Sequence, residues 1–102
     1  MRKPETRLQR KIREALENEL PGFYFKIHGS PYQHIGLPDI IGCYRGRFIG
    51  LEVKRPEEEA TPVQIHTIAL IRDAGGIAAV VRSPEEAIRV VRDALPKAKR
   101  RL

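Results

Sequence analysis

The chain is poor in the residues that build covalent or metal-stapled scaffolds. It has one cysteine, Cys43, so it can form no internal disulfide and no cysteine-rich zinc cluster. Tryptophan is absent and aromatic residues make up only 6% of the 102 residues, which leaves aliphatic side chains to fill a core. No stretch approaches the roughly 18 apolar residues that a membrane span needs. The N-terminal Met1-Arg2-Lys3-Pro4-Glu5 enters charged sequence directly, with no signal-peptide core. The expected location is therefore the cytoplasm, away from any membrane. Acidic residues are also in deficit, 13 Asp+Glu against 19 Lys+Arg, for a net charge of +6. That excess on so small a body makes nucleic acid the leading partner.

With 41% hydrophobic and 31% charged residues, the chain has enough apolar material for one core and no room for a second. A single domain is expected over residues 1–96, followed by a basic tail, 97–102. The tail carries Lys97, Lys99, Arg100 and Arg101 with little to bury, so it should fray.

Leu8, Ile12, Ala15 and Leu16 recur at helical spacing between Pro4 and about Glu19, with Arg7, Arg10, Lys11 and Arg13 on the other faces. Leu20-Pro21-Gly22 stops this helix, and the alternation from Phe23 to His28 suits a short strand. Residues 29–37, with two glycines and a proline, form a structured connection. Asp39 to Tyr44 and Arg47 to Lys54 are β-rich runs joined by Arg45-Gly46, the composition of a tight hairpin turn. Thr61-Pro62-Val63-Gln64 combines an N-cap threonine, a proline at the first helical position and a capping-box glutamine. The helix it opens carries Ile65, Ile68, Ala69 and Ile71 and ends at Gly75-Gly76. Ile77 to Arg82 is apolar enough for a central strand, and Ser83-Pro84 opens a last helix with Ala87, Ile88, Val91 and Leu95. The predicted order is α-β-β-β-α-β-α.

If Arg45 and Gly46 are the turn, Tyr44 faces Arg47, and counting outward sets Asp39 opposite Glu52. Side chains so paired lie roughly 4.5 to 5.5 Å apart at Cβ, where like charges destabilise a sheet. Lys54 falls on the same face as Glu52, while Ile49, Leu51 and Val53 fall on the other with Ile40. A salt-bridged surface cluster is the ordinary explanation of such a set. Two further polar residues weigh against it. Glu5 sits three residues before Leu8 and seven before Ile12, and Gln64 sits four before Ile68, so both fall on apolar helix stripes near a first turn. Dipole stabilisation explains Glu5 alone, and capping explains Gln64 alone. Neither explains their sharing a chain with a facing carboxylate pair and a lysine. Metal-dependent phosphodiester hydrolysis would use all of them: carboxylates bind Mg²⁺ or Mn²⁺, which removes their repulsion, and an ammonium orients water or stabilises transition-state charge.

The residues Gly36-Leu37-Pro38-Asp39 followed by Glu52-Val53-Lys54 resemble the PD-(D/E)xK nuclease motif. With Glu5 in the first helix and Thr61-Pro62-Val63-Gln64 opening the second, the chain is similar to the VRR-NUC branch in its small stand-alone form, typical of phage and bacterial genomes. The likeness spans nearly the whole chain, including Gly29-Ser30 and Ala74-Gly75-Gly76. It implies an α/β, restriction-endonuclease-like fold with a mixed sheet flanked by helices. It implies that Asp39, Glu52 and the Val53 backbone carbonyl bind the metal, that Lys54 is the catalytic lysine, and that Glu5, through water, and Gln64 complete the site. The implied activity is a Mg²⁺- or Mn²⁺-dependent endonuclease. Its implied substrate is branched DNA, such as a Holliday junction, in replication, recombination or repair, and its implied state is a homodimer.

For DNA contacts the candidates are Lys26, Ser30, Arg7, Arg10 and Lys11, with His28 and Gln33 as neighbours in the loop and Arg13 and the tail as further basic groups. The spacings of His28, His34 and His66 match no zinc pattern. Cys43 is expected to be a small buried hydrophobe and Glu57-Glu58-Glu59 a solvated loop facing away from DNA. The rival to an enzyme is a catalytically silent nucleic-acid-binding module with the same fold.

Overall fold

Thr6 decides where the first helix starts. In the computed structural model, which describes residues 4–28 and 36–94, the Thr6 hydroxyl accepts the Gln9 N–H at 3.1 Å, while the Gln9 side-chain oxygen accepts the Thr6 N–H at 2.9 Å. This capping box satisfies two donors that a helix start otherwise leaves orphaned, so α1 runs Arg7–Glu19 rather than from Pro4. Glu5 therefore lies before the helix, and its expected place on the helical stripe does not hold. Ile12 and Leu16 are fully buried from α1.

The strands are β1 (Phe23–Lys26), β2 (Ile40–Tyr44) and β3 (Arg47–Val53). The β2–β3 turn has positive φ at both central residues, Arg45 at 51° and Gly46 at 78°, as the type I′ hairpin twist requires. The register follows the turn: Tyr44 pairs with Arg47 and Ile40 with Leu51, and one step further brings Asp39 opposite Glu52. Next comes α2 (Pro62–Asp73), opened by the predicted box, in which Thr61 accepts from Gln64 N and Gln64 accepts from Thr61 N. The chain ends its described part with β4 (Ile77–Val81) and α3 (Pro84–Asp93), the latter capped by Ser83. The element order is as predicted.

The four strands form one mixed sheet in the order β1-β2-β3-β4, antiparallel except for the parallel β3–β4 pair. Strand β4 is thus at an edge among the described residues, not central. Its apolar sequence has another cause: α2 packs on it from one side and α3 from the other, so both faces are covered. On the first face, Ile12 and Leu16 of α1 and Ala87 and Val91 of α3 meet Tyr24, Ile40, Tyr44, Ile49, Leu51, Val53, Ile77, Ala79 and Val81. On the second, α2 lies on β3 and β4 through Ile68 and Ile71. Gly50 permits that approach: a Cβ there would stand 3.0 Å from both Ile71 Cδ1 and Pro38 Cγ.

Among the described residues α2 packs on β3 and β4, and exposed side chains remain on the outer face of β1 and β2. Phe23, Cys43 and Phe48 pair in one row across it, and all three are exposed. Cys43 is therefore not the buried hydrophobe its strand position suggests. Ile65 and Leu70 of α2 are exposed too, and Thr67 takes a buried place beside Ile68. Among the described residues no helix is long and apolar enough to cross a membrane. The tail beyond Ala94 and the loop holding Ser30, Gln33 and His34 lie outside the described residues.

Candidate active site

Three local devices bring Asp39 to the end of the sheet. Pro38, fully buried, wedges against the space that Gly50 leaves free. The Asp39 main-chain oxygen accepts the Ile27 N–H at 2.7 Å, and its Oδ2 accepts the Val53 N–H at 2.8 Å. Strand geometry directs the Val53 carbonyl to the same strand edge as its N–H, towards the aspartate. Glu52, one residue earlier and on the opposite face from Val53, is only 3% exposed.

Among the described residues each carboxylate has one ammonium partner. Lys54 Nζ lies 3.6 Å from Glu52 Oε2 and Lys26 Nζ 3.9 Å from Asp39 Oδ1. Lys26 is no free surface lysine, since its side chain is 8% exposed. These contacts do not complete the cluster. Glu52 Oε1 is buried with no hydrogen-bond partner, a condition that folded interiors rarely leave without a structural or chemical reason. Burial first, and the Asp39 charge second, push the Glu52 carboxyl up to about 8, against the pull of Lys54.

The cleft around this pair is walled by the starts of two helices. Its lining includes Arg7, Gln9 and Lys11 of α1, Gln64 of α2, and Lys26, Asp39, Glu52, Val53, Lys54, Arg55 and Glu58. The structure thus brings Asp39, Glu52, Val53, Lys54, Gln64, Lys26, Arg7 and Lys11 to one cleft. It leaves Arg10 exposed on α1 outside the lining. Glu5 is also outside it: Arg13 holds both its oxygens, at 2.7 and 3.0 Å, and keeps its carboxyl below the usual range. Arg13, bound to Glu5 and Glu17, is correspondingly not a free phosphate contact.

Glu58 departs from the expectation that residues 57–59 face away. Its carboxylate accepts the Arg55 N–H at 2.7 Å, and its carbonyl accepts from Arg82 at 2.7 Å, so the β3–α2 loop folds back to the cleft rim. Gln9 was missed in the sequence, although the Thr-x-x-Gln spacing at 6–9 repeats the one at 61–64.

A divalent cation fits the donor set on two grounds, the orphaned Glu52 Oε1 and the hard oxygens of a like-charge pair. Among the described residues no group of three or more His, Cys, Asp or Glu gathers to hold a metal. Two carboxylates and a carbonyl suit an ion that keeps most of its waters, as Mg²⁺ does.

The mixed sheet with helices on both faces, and a carboxylate pair and lysine at the end of its hairpin, define an α/β fold of the restriction-endonuclease-like class. No sequence-family model matches the chain, and a search of curated proteins also gives no match. A solved structure titled "VRR_NUC domain" superposes with a TM-score of 0.68 at 27% identity, covering 86% of this chain and 94% of that one. The chain has the fold of the VRR-NUC family, and with it the architecture of a nuclease-type domain.

Proposed function

We propose that the protein is a metal-dependent DNA endonuclease whose active site is the cleft between the starts of α1 and α2. The observation that carries this is the buried Glu52 carboxylate, its Oε1 unpartnered, opposite Asp39. Asp39, Glu52 and the Val53 carbonyl would hold Mg²⁺ or Mn²⁺. The bound ion would supply positive charge to the phosphate and lower the pKa of a water. Lys54 orients the attacking water and offsets the charge that grows on the phosphate oxygens. Hydrolysis joins the water oxygen to phosphorus and breaks one P–O ester bond, and the departing oxygen takes up a proton. Gln64 donates from the wall formed by α2. Glu5 acts from outside the cleft, through water, since Arg13 holds it there. Arg7, Lys11 and Lys26 bind phosphates within the cleft, with Arg10 on the adjoining helix surface. Ser30 joins this list on sequence grounds alone.

A domain this small contacts only part of a large DNA structure, which supports branched or junction DNA as substrate and a second copy as partner, in a bacterial or phage-infected cytoplasm. The open row Phe23, Cys43, Phe48 supports a homodimer, because a contiguous exposed apolar patch favours association. Light scattering on the purified protein would return twice the mass of 11.6 kDa.

The deciding experiment incubates the protein with supercoiled, linear and four-way-junction DNA and Mg²⁺ or Mn²⁺, beside Asp39→Asn and Lys54→Ala. Nicking that requires the metal and vanishes in both variants is expected, strongest on the junction. Metal-independent nicking, or nicking that survives both substitutions, sinks the reading. Binding without cleavage would leave the silent nucleic-acid-binding module.

A further inference from the structure

The two helices that wall the cleft begin with the same device, Thr6-Arg7-Leu8-Gln9 in α1 and Thr61-Pro62-Val63-Gln64 in α2. In each, the glutamine side-chain oxygen accepts the threonine N–H at 2.9 Å. A backbone N–H can be satisfied only by the oxygen of the amide, so this bond settles which end of each amide serves the cap. The Nε2 group, with its two N–H donors, is left over. Among the described residues Gln9 Nε2 makes no protein hydrogen bond, although Gln9 is only 8% exposed. It lines the cleft together with Asp39 and Glu52.

A capping box needs only an acceptor at this position, and glutamate serves it at least as well, with a favourable helix-dipole interaction besides. Glutamate here would add a further carboxylate to a cleft that Asp39, Glu52 and Glu58 already line. Glutamine keeps the cap and turns a donor outward. Arg7 and Lys11, on the same helix, also line the cleft, so a phosphate entering on this side meets two cations beside the amide.

We propose that Gln9 is a phosphate-binding residue: its cap-held amide donates an Nε2–H to a backbone phosphate oxygen of the nucleic acid, on the α1 side of the acidic pair, as Gln64 does on the α2 side. This rests on the nucleic-acid part of the function proposed above, and not on cleavage.

The test measures melting temperature and the binding of a fluorescein-labelled DNA duplex by anisotropy in EDTA, for the whole chain and three variants. Gln9→Glu keeps the box, so it should melt as the parent does while binding about tenfold more weakly, the range for a lost hydrogen bond to a charged group. Gln9→Met removes amide and cap without adding charge, and should lose both binding and melting temperature. Thr6→Ala removes the hydroxyl of the box but leaves the Thr6 N–H that holds Gln9 Oε1. It should melt a few degrees lower and bind as the parent does.

Parental binding by Gln9→Met, or a loss in Thr6→Ala equal to that in Gln9→Met, overturns the proposal. If Gln9→Met does not fold, parental binding by Gln9→Glu overturns it. A parent that binds but never cleaves, with the variants ordered as expected, removes the nuclease and leaves Gln9 in place. A parent that does not bind DNA removes both.

Discussion

Asp39 Oδ2 accepts the Val53 N–H at 2.8 Å, and this bond holds the aspartate carboxylate against the strand that carries Glu52. The pair is therefore not free to relieve its repulsion by turning away. Two lysines offset part of the charge, from 3.6 and 3.9 Å, and Glu52 is left with an oxygen that nothing in its surroundings satisfies. A buried carboxyl beside a second carboxylate, costly to ionise, makes the metal-free protein sensitive to pH and to cations.

The Glu52 carboxyl is raised from an ordinary value of 4.5 to about 8 on folding. Between these values the folded state holds a proton that the unfolded state has lost, so stability falls as pH rises through the window. A tenfold difference in proton affinity is worth about 1.4 kcal/mol, and the loss should total a few kcal/mol. Thermal melting without metal should therefore decline from pH 5 to pH 8. Glu52→Gln should flatten that decline and melt higher than the parent at pH 8. Millimolar Mg²⁺ should raise melting at pH 8 in the parent and not in the variant. A melting temperature that is level across the window in the parent would contradict the buried-carboxylate account.

Asp39→Asn and Lys54→Ala should each reduce the cleavage rate by at least about a hundredfold, the scale of losing one charge-stabilising group at a reaction centre. Asparagine can still accept the Val53 N–H, so Asp39→Asn should remain folded without metal, with some loss of melting temperature because Lys26 loses its carboxylate partner. Both variants should bind DNA with an affinity that falls steeply with salt, by a log-log slope of about 0.9 per phosphate neutralised.

Glu5→Gln tests an acid the structure holds away from the cleft. Its bidentate pair with Arg13 is partly exposed, so its loss should lower stability by no more than about 1 kcal/mol. Arg13 holds the Glu5 carboxyl down, so the contribution is present at neutral pH and disappears as pH falls below the ordinary carboxylate range. Cleavage should drop by about tenfold, less than for Asp39→Asn, because Glu5 acts only through water. A loss as large as that of Asp39→Asn would require Glu5 to leave Arg13 and enter the site.

Gly50→Ala should show how the fold aims the aspartate. The added Cβ would meet Ile71 Cδ1 and Pro38 Cγ at 3.0 Å, so α2 or the Pro38-Asp39 step must move. Destabilisation of about 1 to 3 kcal/mol is expected from such overpacking. The Mg²⁺ concentration needed for half-maximal cleavage should rise with it. Parental values of both would mean that Pro38 does not position Asp39.

Those features that depend on a few neighbouring residues could be read from the chain directly. Arg45-Gly46 specified a two-residue turn, and a hairpin's turn sets its register, so the opposition of Asp39 and Glu52 follows from the sequence alone. Thr61-Pro62-Val63-Gln64 started α2 where expected. The same logic applied to Thr6-Arg7-Leu8-Gln9 would have moved Glu5 out of the helix and drawn Gln9 into the cleft.

Tertiary structure decided what depended on distant partners. Whether β4 was central or at an edge was invisible in Ile77–Val81, because a strand covered by α2 and α3 is as apolar as one flanked by other strands. Cys43 lay open because α2 packs on β3 and β4. Lys26 became an ion-pair partner of Asp39, and Glu58 a rim residue, through contacts with groups 13 and 24 positions along the chain. The opposition of two carboxylates was a matter of local pairing and belonged to the sequence. The burial of Glu52, the lysines that flank the pair and the unpartnered oxygen arose only when helices packed at the end of the sheet.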